Sequence, residues 1–150
     1  MGHTYTNLLT HIIFSTKNRL PYLREDRRDD VFAYIGGIVR EMKGKAINVN
    51  GAPDHVHALV RLPAVLAVAK AAEIIKTNSS RWIHERAVVH RTFAWQAGYA
   101  AFSVSESNVD DVSRYISNQR EHHRKITFQE ELIAFLQRSN IPYDERYMWK

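Results

Sequence analysis

The sequence has no cysteine, which removes disulfides, zinc–thiolate centres and thiol nucleophiles together and suits a reducing cytoplasm. It also lacks a long apolar run. The most apolar stretch, Ala64 to Ile75, is interrupted by Lys70 and Glu73 and is too short to cross a bilayer. The first residues are polar and have no signal-peptide centre, so export and membrane insertion are not expected and the cytoplasm is the expected compartment. Glycine is sparse, with six in all and none after Gly98, and no Walker-type phosphate loop occurs. A reaction that draws on nucleotide hydrolysis therefore has no evident cradle. No repeat, low-complexity tract or linker divides the chain, and residues 1–150 are expected to form one domain.

What is present is a globular composition, 45% hydrophobic and 25% charged. Lys and Arg number 21 against 16 Asp and Glu, giving a formal charge of +5. That excess favours a polyanionic partner, nucleic acid foremost.

Hydrophobic periodicity gives the outline. Thr4 to Ser15 is dense in Tyr, Thr, Ile and Phe and reads as a strand ended by the basic loop Thr16-Lys17-Asn18-Arg19-Leu20-Pro21. Glu25 to Met42 repeats apolar residues at helical spacing, with an acidic start and Gly44 just past its end. Lys45 to Asn50 is a second strand, Gly51-Ala52-Pro53 a turn, and Asp54 to Leu62 a third strand. Ala64 to Glu85 is an amphipathic helix and Tyr99 to Ser105 a fourth strand. The order predicts an α+β, ferredoxin-like βαββαβ fold: an antiparallel sheet with helices on one face and the other face open to substrate. Two C-terminal helices follow, Asp110 to His123 with Asn108 as cap, and Thr127 to Gln137 opened by a Thr127/Glu130 capping box. The aromatic tail after them is expected to be irregular.

The stretch Asp54-His55-Val56-His57 carries the chemistry. Alternation along a strand sends His55 and His57 to one face, where two imidazoles can share a metal ion, and sends Asp54 with Val56 to the other. His-x-His also arises by chance, so the pair needs partners. Tyr115 and Gln119 stand four residues apart on the predicted third helix and share a face. Two imidazoles and an amide oxygen leave a divalent ion most of its charge and open positions for a phosphate. A tyrosine one turn away then has the place of a nucleophile.

On these motifs the chain resembles the HUH single-tyrosine transposases of bacterial insertion sequences, the IS200-like group. The matching stretches are Thr10 to Arg19, Asp54 to His57, Ile75-Lys76 with Ser79 to Ile83, Trp95 to Tyr99, Ala101 to Ser105, Tyr115 to Gln119, and His122-His123. They cover nearly the whole chain in order. The resemblance implies that His55, His57 and Gln119 hold Mg2+ or Mn2+ and that Tyr115 forms a 5′-phosphotyrosine link to single-stranded DNA, releasing a 3′-hydroxyl. It further implies recognition of hairpins at element ends and a homodimer with active sites shared between subunits. Relatives that use a glycine hinge before the tyrosine helix differ from this chain, where the corresponding swing would fall to Ser105 to Asn108 or be smaller than in those relatives.

Lys17, Arg19, Lys76 and Arg81 are the candidate phosphate contacts on a basic track. Trp82 and Trp95 are expected in the core. His123 is expected behind the metal ligands or against DNA, while His3, His84 and His90 have no evident partner. Two other readings fit the residues: the same chemistry in a host-domesticated relative that processes repeated palindromes or in a replication initiator or relaxase, and a non-catalytic ferredoxin-like nucleic-acid binding module whose histidines are structural.

Overall fold

In the computed structural model, residues 2–86 and 92–149 are described, and His90 lies outside them. Eight-residue β1 (Leu8–Ser15) runs antiparallel between β3 (His55–Leu62) and the short β4 (Ala100–Ser103), while β2 (Lys45–Ala52) flanks β3. The strand order is β2-β3-β1-β4. With α1 (Glu25–Glu41) after β1 and α2 (Val68–Glu85) after β3, this is the βαββαβ order of a ferredoxin-like α+β fold.

Period-two alternation gives the sheet two faces with different work. One face presents Ile12 and Phe14 of β1 and Val56, Ala58 and Val60 of β3, all almost fully buried. Against it α1 packs Val31, Ile35 and Val39, and α2 packs Ala72, Ile75 and Ile83. These positions recur every three or four residues, so each helix turns one stripe to the sheet. Each buried valine, isoleucine or phenylalanine here contributes roughly 1.5–3 kcal/mol by leaving water, and the alanines less. Trp95 belongs to this core, donating its indole N–H to Ser79 Oγ at 3.0 Å. Trp82 packs at the edge of the core, stacked on Tyr34. Gly51 in β2 lies so close to β3 that a Cβ there would overlap the His55 carbonyl, which is why the hairpin carries glycine at that point.

The opposite face does not stay open. It carries Asn48 and Asn50 of β2, His55 and His57 of β3, His11 and Ile13 of β1 and Phe102 of β4, as the strand registers require. Three C-terminal helices cover it: α3 (Val109–Ser117), α4 (Gln119–His122) and α5 (Phe128–Arg138). The physical reason is the apolar stripe of α5. Phe135 stacks on Phe102 with ring centroids 5.2 Å apart, and Phe128 lies over His55 at 4.5 Å.

The long helix expected from Asp110 to His123 is broken at Asn118. Asn50 Nδ2 takes the Ile116 carbonyl at 2.9 Å and that of Ser117 at 3.4 Å. Those are the acceptors that Arg120 and Glu121 would use to continue the helix. Asn48 Nδ2 binds the Ser113 carbonyl at 2.9 Å and Ser117 Oγ at 2.9 Å, so β2 clamps the tyrosine-bearing helix from below. Asn108 precedes α3 without a side-chain cap, at the end of a 3-10 turn over Glu106–Asn108. The Thr127/Glu130 capping box is present in full at the start of α5. Boundaries also shift: β1 begins at Leu8 rather than Thr4, β2 continues through Gly51 to Ala52, α2 begins at Val68 and β4 spans only Ala100–Ser103, while the tail contains a short helix, α6 (Glu145–Met148).

Candidate active site

The hairpin β2–β3 and the clamped α3 bring the predicted residues to one place. His55 Nε2 and His57 Nε2 stand 3.3 and 3.0 Å from Glu131 Oε1. Gln119 Oε1 lies 3.1 Å from His55 Nε2. Tyr115 donates its hydroxyl to Glu131 Oε2, with His122 Nε2 at 3.2 Å from the same hydroxyl. His123 comes closer than expected, its Nε2 3.1 Å from Glu131 Oε1. One donor atom from each of His55, His57, His123 and Glu131 falls within a span of 4.8 Å.

The outer ring nitrogens are held as well. Asp54, expected on the far face, turns its carboxylate back to His55 Nδ1 at 2.7 Å. His57 Nδ1 meets His11 Nε2 at 2.8 Å, and His123 Nδ1 donates to the Ile126 carbonyl at 2.9 Å. Partners at the outer nitrogen aim the inner nitrogen at a common point, as in protein metal centres. Glu131 and His11 thus join the site without having been singled out in the sequence, and Asp54 joins it although alternation sent it to the other face. For Glu131 a signal existed: it is the one acid on the Phe128–Phe135 stripe of α5.

Burial sets the charges. His55, His57 and Gln119 are wholly buried and Glu131 is 2% exposed. For Glu131 burial disfavours the carboxylate, but hydrogen bonds from His123, His55 and His57 outweigh it and hold the pKa well below the carboxylate range. Burial also opposes the His55 cation, and Asp54 and Glu131 together overcome that and raise it to about 9. His57 has only Glu131 as an anion and faces other imidazoles, so burial prevails and lowers it to about 4; His11 falls to about 3 for the same reason. Burial and the Glu131 charge push the Tyr115 phenol upward.

The basic candidates lie outside the cluster itself. Lys17 and Arg81 are exposed. Arg19 lies over the Trp149 ring at 5.3 Å and donates to its carbonyl. Lys76 donates to the Gln96 and Gly98 carbonyls at 2.8 and 2.7 Å, tying the loop before β4 to α2. His84 Nε2 meets the Phe93 carbonyl, and His3 is exposed. Two grooves flank the cluster: one lined by Arg114, Tyr115, Ser117, Asn118 and His122, the other by Arg19, Asp54, His123, Arg124 and Lys125.

A family model described as "Transposase IS200 like" matches residues 4–119. The chain belongs to the IS200-like transposase family. The transposases for insertion sequence element IS200 of Salmonella typhimurium and Salmonella typhi are each 24% identical over 127 residues, covering 81% of this chain and 82% of theirs. Two solved structures share the fold. A candidate transposase from Deinococcus radiodurans R1 has a TM-score of 0.62 at 22% identity, covering 79% of this chain and 96% of its own. A REP-associated tyrosine transposase bound to a REP hairpin has a TM-score of 0.60 at 15% identity, covering 82% of this chain and 73% of its own. DNA strand transfer is the activity this membership implies. Among the described residues of this transposase, no helix is long and apolar enough to cross a membrane.

Proposed function

We propose that this transposase cuts and rejoins single-stranded DNA at hairpin-bearing element ends through a 5′-phosphotyrosine link on Tyr115. The observation that carries the reading is the meeting of the Tyr115 hydroxyl with a buried imidazole–carboxylate cluster on the sheet face.

The donor set fits a divalent ion. Two ligands about 2.1 Å from one ion stand at most about 4.2 Å apart, and the donor atoms of His55, His57, His123 and Glu131 lie within 4.8 Å of one another, so at most a small inward shift of the rings sets them round one ion. Three imidazoles with few oxygens favour Mn2+ or a neighbouring transition ion over Mg2+, which prefers oxygen. When bound, such an ion supplies positive charge that polarises the scissile phosphate. His55, His57 and Gln119 hold it with His123 as the third imidazole, and His11 and Asp54 orient the rings of His57 and His55. Tyr115 attacks phosphorus; the Tyr–O–P bond forms, the P–O3′ bond breaks, and the phenolic proton leaves with the 3′-hydroxyl. Arg114 in the tyrosine groove and Arg124 and Lys125 in the other contact the backbone, with Lys17, Arg19 and Arg81 extending the track.

One tyrosine holds one cut end, so joining two ends calls for two copies of the chain, and we infer a homodimer during exchange. A second reading is a relative that processes repeated palindromes, supported by the likeness in fold to a REP-associated tyrosine transposase bound to a REP hairpin. The test is a single-stranded hairpin oligonucleotide incubated with Mn2+, with the covalent adduct read on a denaturing gel. Tyr115→Phe is expected to abolish it, and an undiminished adduct from Tyr115→Phe refutes the assignment. Mixing Tyr115→Phe with the His55→Ala, His57→Ala double variant restores the adduct only if sites are shared between subunits.

A further inference from the structure

Glu131 is the least expected member of the site. It is the single acid on the face of α5 that carries Phe128 and Phe135, and burying a carboxylate costs several kcal/mol unless it is paired and hydrogen-bonded. Here it is 2% exposed, and its two oxygens divide their partners. Oε1 faces the Nε2 atoms of His55, His57 and His123 at 3.3, 3.0 and 3.1 Å. Oε2 faces the Tyr115 hydroxyl, His122 Nε2 at 3.2 Å and Gln119 Nε2 at 3.3 Å.

We propose that Glu131 is an anionic ligand of the divalent ion through one oxygen and, through the other, the acceptor that holds the Tyr115 hydroxyl beside it. The inference rests on the metal-dependent reading above and deepens it: metal loading and placement of the nucleophile pass through one side chain. The charge balance supports this. Neutral imidazoles and an amide leave a divalent ion at +2, whereas adding the Glu131 carboxylate leaves +1, matched to the single negative charge of a phosphodiester. The carboxylate also gives α5, an element outside the matched residues 4–119, a role in the site.

The test measures Mn2+ binding to the metal-free full chain, read as loss of the free-ion electron paramagnetic resonance signal. Glu131→Gln keeps shape and removes charge, and its affinity is expected to fall at least about tenfold. Tyr115→Phe is expected to stay within about threefold of wild type, being no ligand. The His55→Ala, His57→Ala double variant is expected to lose binding. If Glu131→Gln binds as wild type while the double variant does not, the proposal fails and the metal site stands. If the double variant also binds normally, the metal reading itself fails. Should Glu131→Gln not fold, wild-type protein carrying 13C-labelled glutamate carboxylates decides the question. A 13C hyperfine coupling to bound Mn2+ supports ligation, and its absence overturns it. The tyrosine half is read in metal-free protein with fluorotyrosine, the position-115 resonance being assigned by its loss in Tyr115→Phe. A shift of that resonance in Glu131→Gln or Glu131→Asp is expected, and an unmoved resonance overturns the contact.

Discussion

Metal-free protein should be most stable near pH 6.5–7 and lose stability on both sides, for different histidines. In the unfolded chain each imidazole titrates near 6.5. His11 and His57 are held neutral in the fold, at about 3 and about 4. Below pH 6.5 the unfolded state therefore binds up to two protons that the native state refuses, and stability falls as pH falls. At about 1.4 kcal/mol per proton per pH unit, the step from pH 6 to pH 5 costs about 2–3 kcal/mol. For a chain of this length that lowers Tm by roughly 5–10 °C. His55 acts with the opposite sign. Raised to about 9, it contributes stability that is full below pH 6.5 and is lost as pH rises through 9, about 1 kcal/mol between pH 7.5 and 8.5. Glu131, held low, stays ionised through this whole range.

Thermal unfolding followed by circular dichroism from pH 5 to 8.5 in chelator reads both limbs. His11→Phe removes one of the two protons and should roughly halve the acid slope, with Phe102 and Phe135 at hand to pack the new ring. Saturating Mn2+ should abolish the alkaline loss, since a bound ion displaces the His55 proton from the native state, and should steepen the acid one. A Tm constant within about 1 °C across the range would refute the assignment of these charges.

Replacing Asn48 and Asn50 by alanine frees the carbonyls of α3 and should cost about 1 kcal/mol each. Amide exchange across Val109–Ser117 should rise and adduct formation slow by about tenfold, with Mn2+ affinity within twofold; unchanged exchange would show that the clamp is idle. Gly51→Ala presses on the His55 carbonyl and should weaken Mn2+ at least about tenfold in titration, since the strand that carries the ligand must shift. Lys76→Met loses two hydrogen bonds to the loop before β4 and should cost about 1–2 kcal/mol in urea unfolding. It should leave the salt dependence of DNA binding unaltered, whereas a slope smaller by about one would make Lys76 a phosphate contact.

Much of this site was legible in the chain because local rules govern it. Strand alternation alone puts His55 and His57 on one face and Val56 in the core. Helical spacing relates Tyr115 to Gln119, and both reach the site even though the helix breaks between them. The Thr127/Glu130 capping box announces α5. What stayed hidden depends on tertiary pairing. The break at Asn118 comes from asparagines on β2, some 66 residues away in sequence from the carbonyls they take. Glu131 stands on the apolar stripe of α5, but its partners appear only once α5 is laid on the sheet, and His11 is one polar residue inside a strand until β1 is paired with β3. Asp54 obeys alternation at its backbone, but the turn lets its short side chain swing back to the next residue's ring. The expectation of an open face failed because the ferredoxin-like pattern ends at β4 and says nothing of the residues after it.

How a polymer reaches this cluster follows from where the exposure lies. The imidazoles of His55 and His57 are sealed below by the sheet, whose other side is core, and above by Phe128 and Glu131. Tyr115 is only partly buried, and it lines a groove with Arg114, Asn118 and His122. The second groove reaches the cluster at His123, beside Arg124 and Lys125. The adjacent His122 and His123 thus stand at the two mouths, their rings 4.9 Å apart and nearly perpendicular. A strand lying along these grooves would meet Tyr115 before it meets His55 and His57. For its phosphate to touch both, the α4–α5 connection between His123 and Phe128 has to give, and the hydrogen bonds of Glu131 are what that movement must exchange.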